Sequence, residues 1–145
     1  MSVPFSKRTK RMDTASNKRL VEAIFAALAR GDRRPFADAM ADDFSWTITG
    51  HGPWARTWHG KAEVRRDLMT PLFAQFADTY RNHARRIVAE GDTVVVECRG
   101  EVMTKAGRRY DNHYCYIIEM HEGRMQALTE YMDTALAEAV LTAPA

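Results

Sequence analysis

Between Gly91 and Thr134 hydrophobic and polar residues alternate with a period of two. The run is broken at Lys105-Ala106-Gly107-Arg108 and again at Glu122-Gly123, where glycine permits a tight turn, so the pattern predicts three antiparallel strands. With the first turn centred between Ala106 and Gly107, Cys98 is expected opposite Cys115, and Arg99 opposite Tyr114. Opposed residues share a face. One face then carries Glu97, Arg99 and Glu101 with Asn112, Tyr114 and Tyr116. The other carries Val94, Val96, Cys98, Gly100 and Val102 with His113, Cys115 and Ile117. Burying unpaired charge is costly, so the polar face implies a wet cavity or a partner surface.

Upstream the period changes. Leu20, Ile24, Ala27 and Leu28, widened by Val21 and Phe25, predict a first helix, with Ser16 or Asn17 as its cap and Gly31-Asp32 as its stop. Pro35 suits the first turn of a short second helix through Phe36, Ala39 and Met40. Phe44, Trp46 and Ile48 alternate with polar residues as a strand, and a brief strand follows at residues 56–59. Val64, Leu68, Leu72, Phe73 and Phe76 keep helical spacing in a third helix that Pro71 kinks or ends. A strand near residues 80–89 leads into the final strands, and Leu136, Ala137, Val140 and Leu141 allow a short last helix. Helices grouped apart from a run of antiparallel strands give an α+β domain, expected over residues 16–142, with residues 1–15 a disordered basic arm.

Composition leaves this picture intact. The chain has 145 residues, 46% hydrophobic and 28% charged, as in an ordinary soluble single domain. No apolar run approaches the ~20 residues of a membrane span. A net charge of +2 gives no argument for nucleic acid, much of the excess lying in Lys7, Arg8, Lys10 and Arg11. No apolar segment follows that basic run, so a cytoplasmic location with free Cys98 and Cys115 is expected. Phosphate-loop, serine-elbow, His-Glu-x-x-His and Cys-x-x-Cys patterns are absent. The histidines stand singly, and no metal site is expected.

The candidate chemistry concentrates in two places. His51 and His59 accompany Trp46, Trp54 and Trp58 around the first hairpin, where the indoles either clamp a ligand or close the core. Glu130, between Leu128 and Met132, is a carboxylate with apolar neighbours on its own face; it acts as a general acid or base, or it pairs with Arg99, Arg81 or Arg85. Asn112 and Tyr114 beside it either orient a carbonyl or hydroxyl or pack the core. Glu97, Arg99 and Tyr116 complete the candidate ligand-binding set. Asp133, pointing the other way and followed by Thr134, reads as a helix cap.

The chain resembles the SnoaL-like branch of the NTF2-like, or ketosteroid isomerase-like, superfamily over about residues 17–141. The resemblance rests on Ala27-Leu28-Ala29-Arg30-Gly31-Asp32, Ala41-Asp42-Asp43-Phe44, Trp58-His59-Gly60-Lys61-Ala62-Glu63, Ala89-Glu90-Gly91-Asp92, Tyr110-x-Asn112-x-Tyr114 and Glu130-Tyr131-x-Asp133-Thr134. It implies a cone-shaped, strongly curved antiparallel sheet wrapped on three helices, an apolar pocket at the cone's mouth and a homodimer through the sheet. Members of that superfamily include steroid isomerases, polyketide cyclases, epoxide hydrolases and dehydratases that use neither metal nor organic cofactor, as well as proteins that only bind. Fold alone does not choose among them. The isomerases' phenol falls at Ile24 and their aspartate base near Ile48, and neither isoleucine can replace them. Of the epoxide hydrolases' Asp-Arg-Asp group, the last position falls at Glu130. Cys98 and Gly100 occupy the others without a gap, and Glu97 and Arg99 come near them with a one-residue shift.

The resulting expectation is a cofactor-free pocket protein for a hydrophobic, oxygenated, polyketide- or steroid-like small molecule. Glu130 would move a proton in an isomerisation, cyclisation, hydration or dehydration. The alternative is a non-catalytic dimeric binding or interaction module.

Overall fold

Asp13 opens the first helix: in the computed structural model, which describes residues 12–145, its carboxylate accepts the Ser16 backbone N–H. Helix α1 (Thr14–Ala29) therefore begins ahead of the expected caps Ser16 and Asn17. Thr14 and Ala15, expected in the arm, are helical, and the rest of that arm up to residue 11 lies outside the described residues. The stop at Gly31-Asp32 is as expected. Gly31 N–H reaches Leu28 O and Asp32 N–H reaches Ala27 O, the paired bonds of a Schellman turn. Helix α2 (Arg34–Ala39) follows with Pro35 in its first turn.

Six strands form one curved, unclosed sheet in the order β2-β1-β6-β5-β4-β3. They are β1 (Met40–Ile48), β2 (Arg56–His59), β3 (Arg81–Glu90), β4 (Thr93–Glu101), β5 (His113–His121) and β6 (Arg124–Met132). Neighbours are antiparallel except β1 and β6, which run parallel and place Ile48 beside Glu130. Register breaks in β3 against β4 and in β5 against β6 bend the strands, and the sheet curls around α1 and the α3–α4 segment. That segment is α3 (Lys61–Glu63), a π-helical stretch at Val64–Met69 and α4 (Thr70–Phe73). Pro71 has no N–H to offer the preceding turn, and the helix widens ahead of it. The Thr70 N–H and hydroxyl both turn to Arg65 O. Helix α5 (Thr134–Val140) is capped by Asp133, whose carboxylate accepts Leu136 N–H. Among the described residues no helix is long and apolar enough to cross a membrane.

The β4–β5 register differs from expectation by one residue. Cys98 faces Tyr114, Glu97 faces Cys115 and Arg99 faces His113. The turn is a three-residue loop, Lys105-Ala106-Gly107, closed by Thr104 and Arg108, with Gly107 at φ 82° in the left-handed region. An odd loop moves the centre onto Ala106, and a one-residue slip exchanges the faces of one strand relative to the other. Tyr114 and Tyr116 consequently join Val96, Cys98 and Gly100 on the concave side, whereas Glu97, Arg99 and Glu101 lie outside with His113 and Cys115. Both thiols are free, Cys98 buried within and Cys115 on the opposite face.

Candidate functional site

The concave side of the sheet does not pack solid against the helices. A cavity of about 70 Å³ remains, walled by Ile48, Leu68, Leu72 and Leu141 and by the aromatic rings of Trp46, Trp54, Phe73 and Tyr116. Gln75 holds the chain end in place by bonding both the N–H and the carbonyl of Thr142, which keeps Leu141 in the wall.

Glu130 stands in this cavity at 5% exposure, with Ile48 on one side and Tyr116 on the other as its strand partners. No cation reaches it among the described residues. Arg81 bonds Ala29 O, Arg85 pairs with Glu97 and Arg99 is exposed, so none of the salt bridges open to it in the sequence forms. Burial pushes its carboxyl up to about 8, opposed by the Trp46 indole N–H. That indole makes no well-formed hydrogen bond within the protein, and neither does the Trp54 N–H on the same cavity wall.

A second polar group faces the same space. Tyr80 and Tyr114 meet over Gly100 with the Tyr110 phenol against that of Tyr114, and burial raises the pKa of each, that of Tyr110 to about 12. They stay protonated at any working pH, and the Tyr110 hydroxyl donates only to the weak acceptor Met132 Sδ, 3.8 Å away. Two asparagines orient them, each two residues beyond its tyrosine: Asn82 Nδ2 donates to Tyr80 at 3.1 Å and Asn112 Nδ2 to Tyr110 at 3.0 Å. Asn82 also lines the cavity and its buried Oδ1 has no partner within the protein. An acceptor, two indole donors, three phenols and a neutralisable carboxyl thus face one small cavity. Of these, the Asn82 oxygen and the two indole N–H groups are unpaired within the protein, and leaving them so is costly without a ligand or ordered water.

Gly100 makes the phenol cluster possible. A Cβ there would lie 2.9 Å from the Tyr80 hydroxyl and 3.2 Å from Tyr114 Cε2. Gly100→Ala is expected to force the two rings apart and cost about 1–3 kcal/mol, read as a lower urea midpoint; an unchanged midpoint would show that the rings adjust freely.

Several residues expected at the site lie elsewhere. Glu97 and Arg99 are on the convex face, displaced by the register of the three-residue loop. His51 and His59 are exposed and do not line the cavity. Trp58 is fully buried core beneath Arg56, so only Trp46 and Trp54 of the three indoles line the cavity. Asn112 is buried but spends its amide on the protein, bonding Asp133 and His113 as well as Tyr110. Tyr80, Asn82 and Tyr110 line the cavity although no site role for them follows from the strand pattern. Their available signal was the repeat of Tyr-x-Asn at 80–82 and 110–112.

This architecture recurs in solved structures. One is an NTF2-like protein from Burkholderia pseudomallei, 24% identical over 88% of this chain and 98% of that one, with a TM-score of 0.73. Another is TerC, crystallised with polyporic acid, 22% identical over 86% and 97% with a TM-score of 0.69. A third is an LEH-like epoxide hydrolase from M. tuberculosis, 22% identical over 88% and 90% with a TM-score of 0.64. At these identities the likeness is one of fold. No curated protein matches the chain. Residues 21–128, from the first helix through the strand that leads to Glu130, match the SnoaL-like domain, and the chain belongs to that family.

Proposed function

We propose that this protein binds a hydrophobic, oxygenated small molecule of polyketide- or steroid-like character and moves a proton on it through Glu130, in an isomerisation, cyclisation, hydration or dehydration. The observation that carries this reading is a carboxyl buried in an apolar cavity with no cation among the described residues to compensate it. A group held near pH 8 exchanges protons readily under neutral conditions, as a general acid or base requires. The Tyr80, Tyr110 and Tyr114 phenols supply donors for the ligand's carbonyl or hydroxyl, where negative charge develops once a neighbouring C–H is deprotonated. Trp46 and Trp54 cover its apolar body. The related folds include proteins described as a polyketide cyclase, an isomerase and an epoxide hydrolase.

The cavity, at about 70 Å³, is smaller than the roughly 300–1,000 Å³ of a typical ligand site. A polycyclic ligand therefore displaces side chains at the mouth, where the unbranched Met69 and Met132 adapt most easily. The homodimer that the family resemblance implies would use the convex face, a reading supported by the large, exposed side chains of Val88 and Tyr131.

Proton exchange tests the reaction without knowledge of the product. In D2O, a panel of apolar cyclic ketones is expected to exchange α-protons in the presence of the protein. Glu130→Gln should slow that exchange by roughly 10²–10⁴-fold with the fold intact at pH 6. For a base, the parent's rate should rise as pH climbs through about 8 and the carboxylate forms. Equal exchange by parent and variant would remove Glu130 from the chemistry.

A further inference from the structure

Outside the mouth of the cavity lies a second hollow, a groove of about 560 Å³ bounded by α2 and the π-helical segment. The two spaces share Arg33, Met69 and Phe73 in their walls, so these three side chains are all that a ligand spanning both would have to pass. Their chemistry differs sharply. The inner cavity is aromatic and aliphatic around Glu130, whereas the groove presents Arg33, Arg34 and Arg65 against the single acid Asp32.

The pairing within the groove is uneven. Asp32 is occupied by Arg34 through two guanidinium bonds of 3.0 and 3.1 Å. Arg33 and Arg65 have no carboxylate in reach among the described residues. Arg33 is also pre-placed, its guanidinium lying 3.7 Å above the centroid of Phe73. A guanidinium stacked on a ring keeps its N–H edge free and loses little freedom on meeting a planar or tetrahedral anion. Arg65 stands at the start of the widened turn, where Thr70 anchors its backbone carbonyl. Among the described residues two guanidinium groups without a carboxylate partner therefore line the groove, and one of them, Arg33, also lines the cavity that holds the buried carboxyl.

We infer that the groove holds the anionic head, a carboxylate or a phosphate, of an amphipathic ligand whose apolar body passes Phe73 and Met69 to reach Glu130. The inference rests on the cavity being the ligand site and adds the class of ligand, an apolar acid, together with its orientation. The reverse orientation would bury the anion in the apolar space beside Glu130, which desolvation opposes and no cation there offsets among the described residues. The reacting carbon is thus the end remote from the acid group. A ligand extended across both spaces also matches their combined size better than one confined within the inner cavity.

Three naphthalene probes of one ring size test this by calorimetry at low salt and pH 7: 2-naphthoate, 2-naphthyl phosphate and the neutral 2-acetylnaphthalene. An anionic probe is expected to bind about tenfold tighter than the ketone, the advantage shrinking as salt screens the arginines. Whichever anion leads identifies the head group. In the Arg33→Gln/Arg65→Gln double variant the ratio should fall to about one, while Glu130→Gln should preserve or enlarge it. Equal affinity of acid and ketone in the parent, or a preference surviving the double variant, overturns the groove assignment and leaves the cavity standing. Failure of all three probes to bind overturns the cavity reading and the groove with it.

Discussion

Glu130→Gln is expected to be more stable than the parent at pH 8.5, by on the order of 4 kcal/mol, and nearly as stable below pH 4.5. The sign follows from where the proton sits. In the folded chain the carboxyl keeps its proton to about pH 8, because ionisation inside the apolar cavity is opposed by burial, whereas its ordinary value is 4.5. Between those values the native state binds more protons than the unfolded state, so each rise in pH favours unfolding. The stabilisation is complete below about 4.5, declines through the window and is gone above about 8, and glutamine has no such decline. For a chain of this length the difference corresponds to roughly 10 °C in Tm at pH 8.5. Parallel thermal melts from pH 4.5 to 9 isolate this one group, since all other carboxylates are common to both proteins. Parent and variant curves that stay parallel throughout would mean that Glu130 is hydrated and lacks the perturbed proton on which its proposed chemistry depends.

The same residue shows how far the sequence could be read. Glu130 was legible because Leu128 and Met132 flank it on one strand face, and alternation is a local property. The α+β class was legible for the same reason, each helix and strand carrying its own period. The β4–β5 register was not. Two-residue and three-residue loops both accommodate Lys105-Ala106-Gly107-Arg108, and the choice depends on which residue takes the left-handed conformation. That choice decided whether Glu97 and Arg99 joined the site, and it placed them outside. The parallel pairing of β1 with β6 was equally hidden, since it joins segments some eighty residues apart and leaves no mark on either one. Nothing in their local sequence marks Arg33 or Arg65, and only the tertiary fold brings them to one groove. The phenol cluster is an intermediate case. Its Tyr-x-Asn repeat is visible along the chain, but its meaning needs β3, β4 and β5 side by side with Gly100 between the rings.

Asn112 supplies the sharpest separation between a residue that touches ligand and one that holds the site together. Its Nδ2 donates to Asp133 O at 3.1 Å and to Tyr110 at 3.0 Å, and its Oδ1 accepts the His113 and Asp133 N–H groups at 2.8 and 3.3 Å. Asn112→Ala would leave those partners buried without replacements, each at about 1–3 kcal/mol, and a net loss of roughly 3–5 kcal/mol is expected because the costs overlap. The corresponding fall in Tm is about 10 °C. A ligand-contacting Asn112, one of the two roles its strand position allowed, would give the opposite result, weaker probe binding with Tm unchanged. The damage should also be directional. Asp133 caps α5 through Leu136 N–H, and Leu141 just beyond that helix closes one cavity wall. Loss of the Asn112 amide thus loosens the cap, the helix and the wall in sequence, and hydrogen exchange at the α5 amides should accelerate more than exchange at those of α1. Uniform acceleration across both helices would reduce Asn112 to a general contributor to stability, with no special hold on the cavity wall.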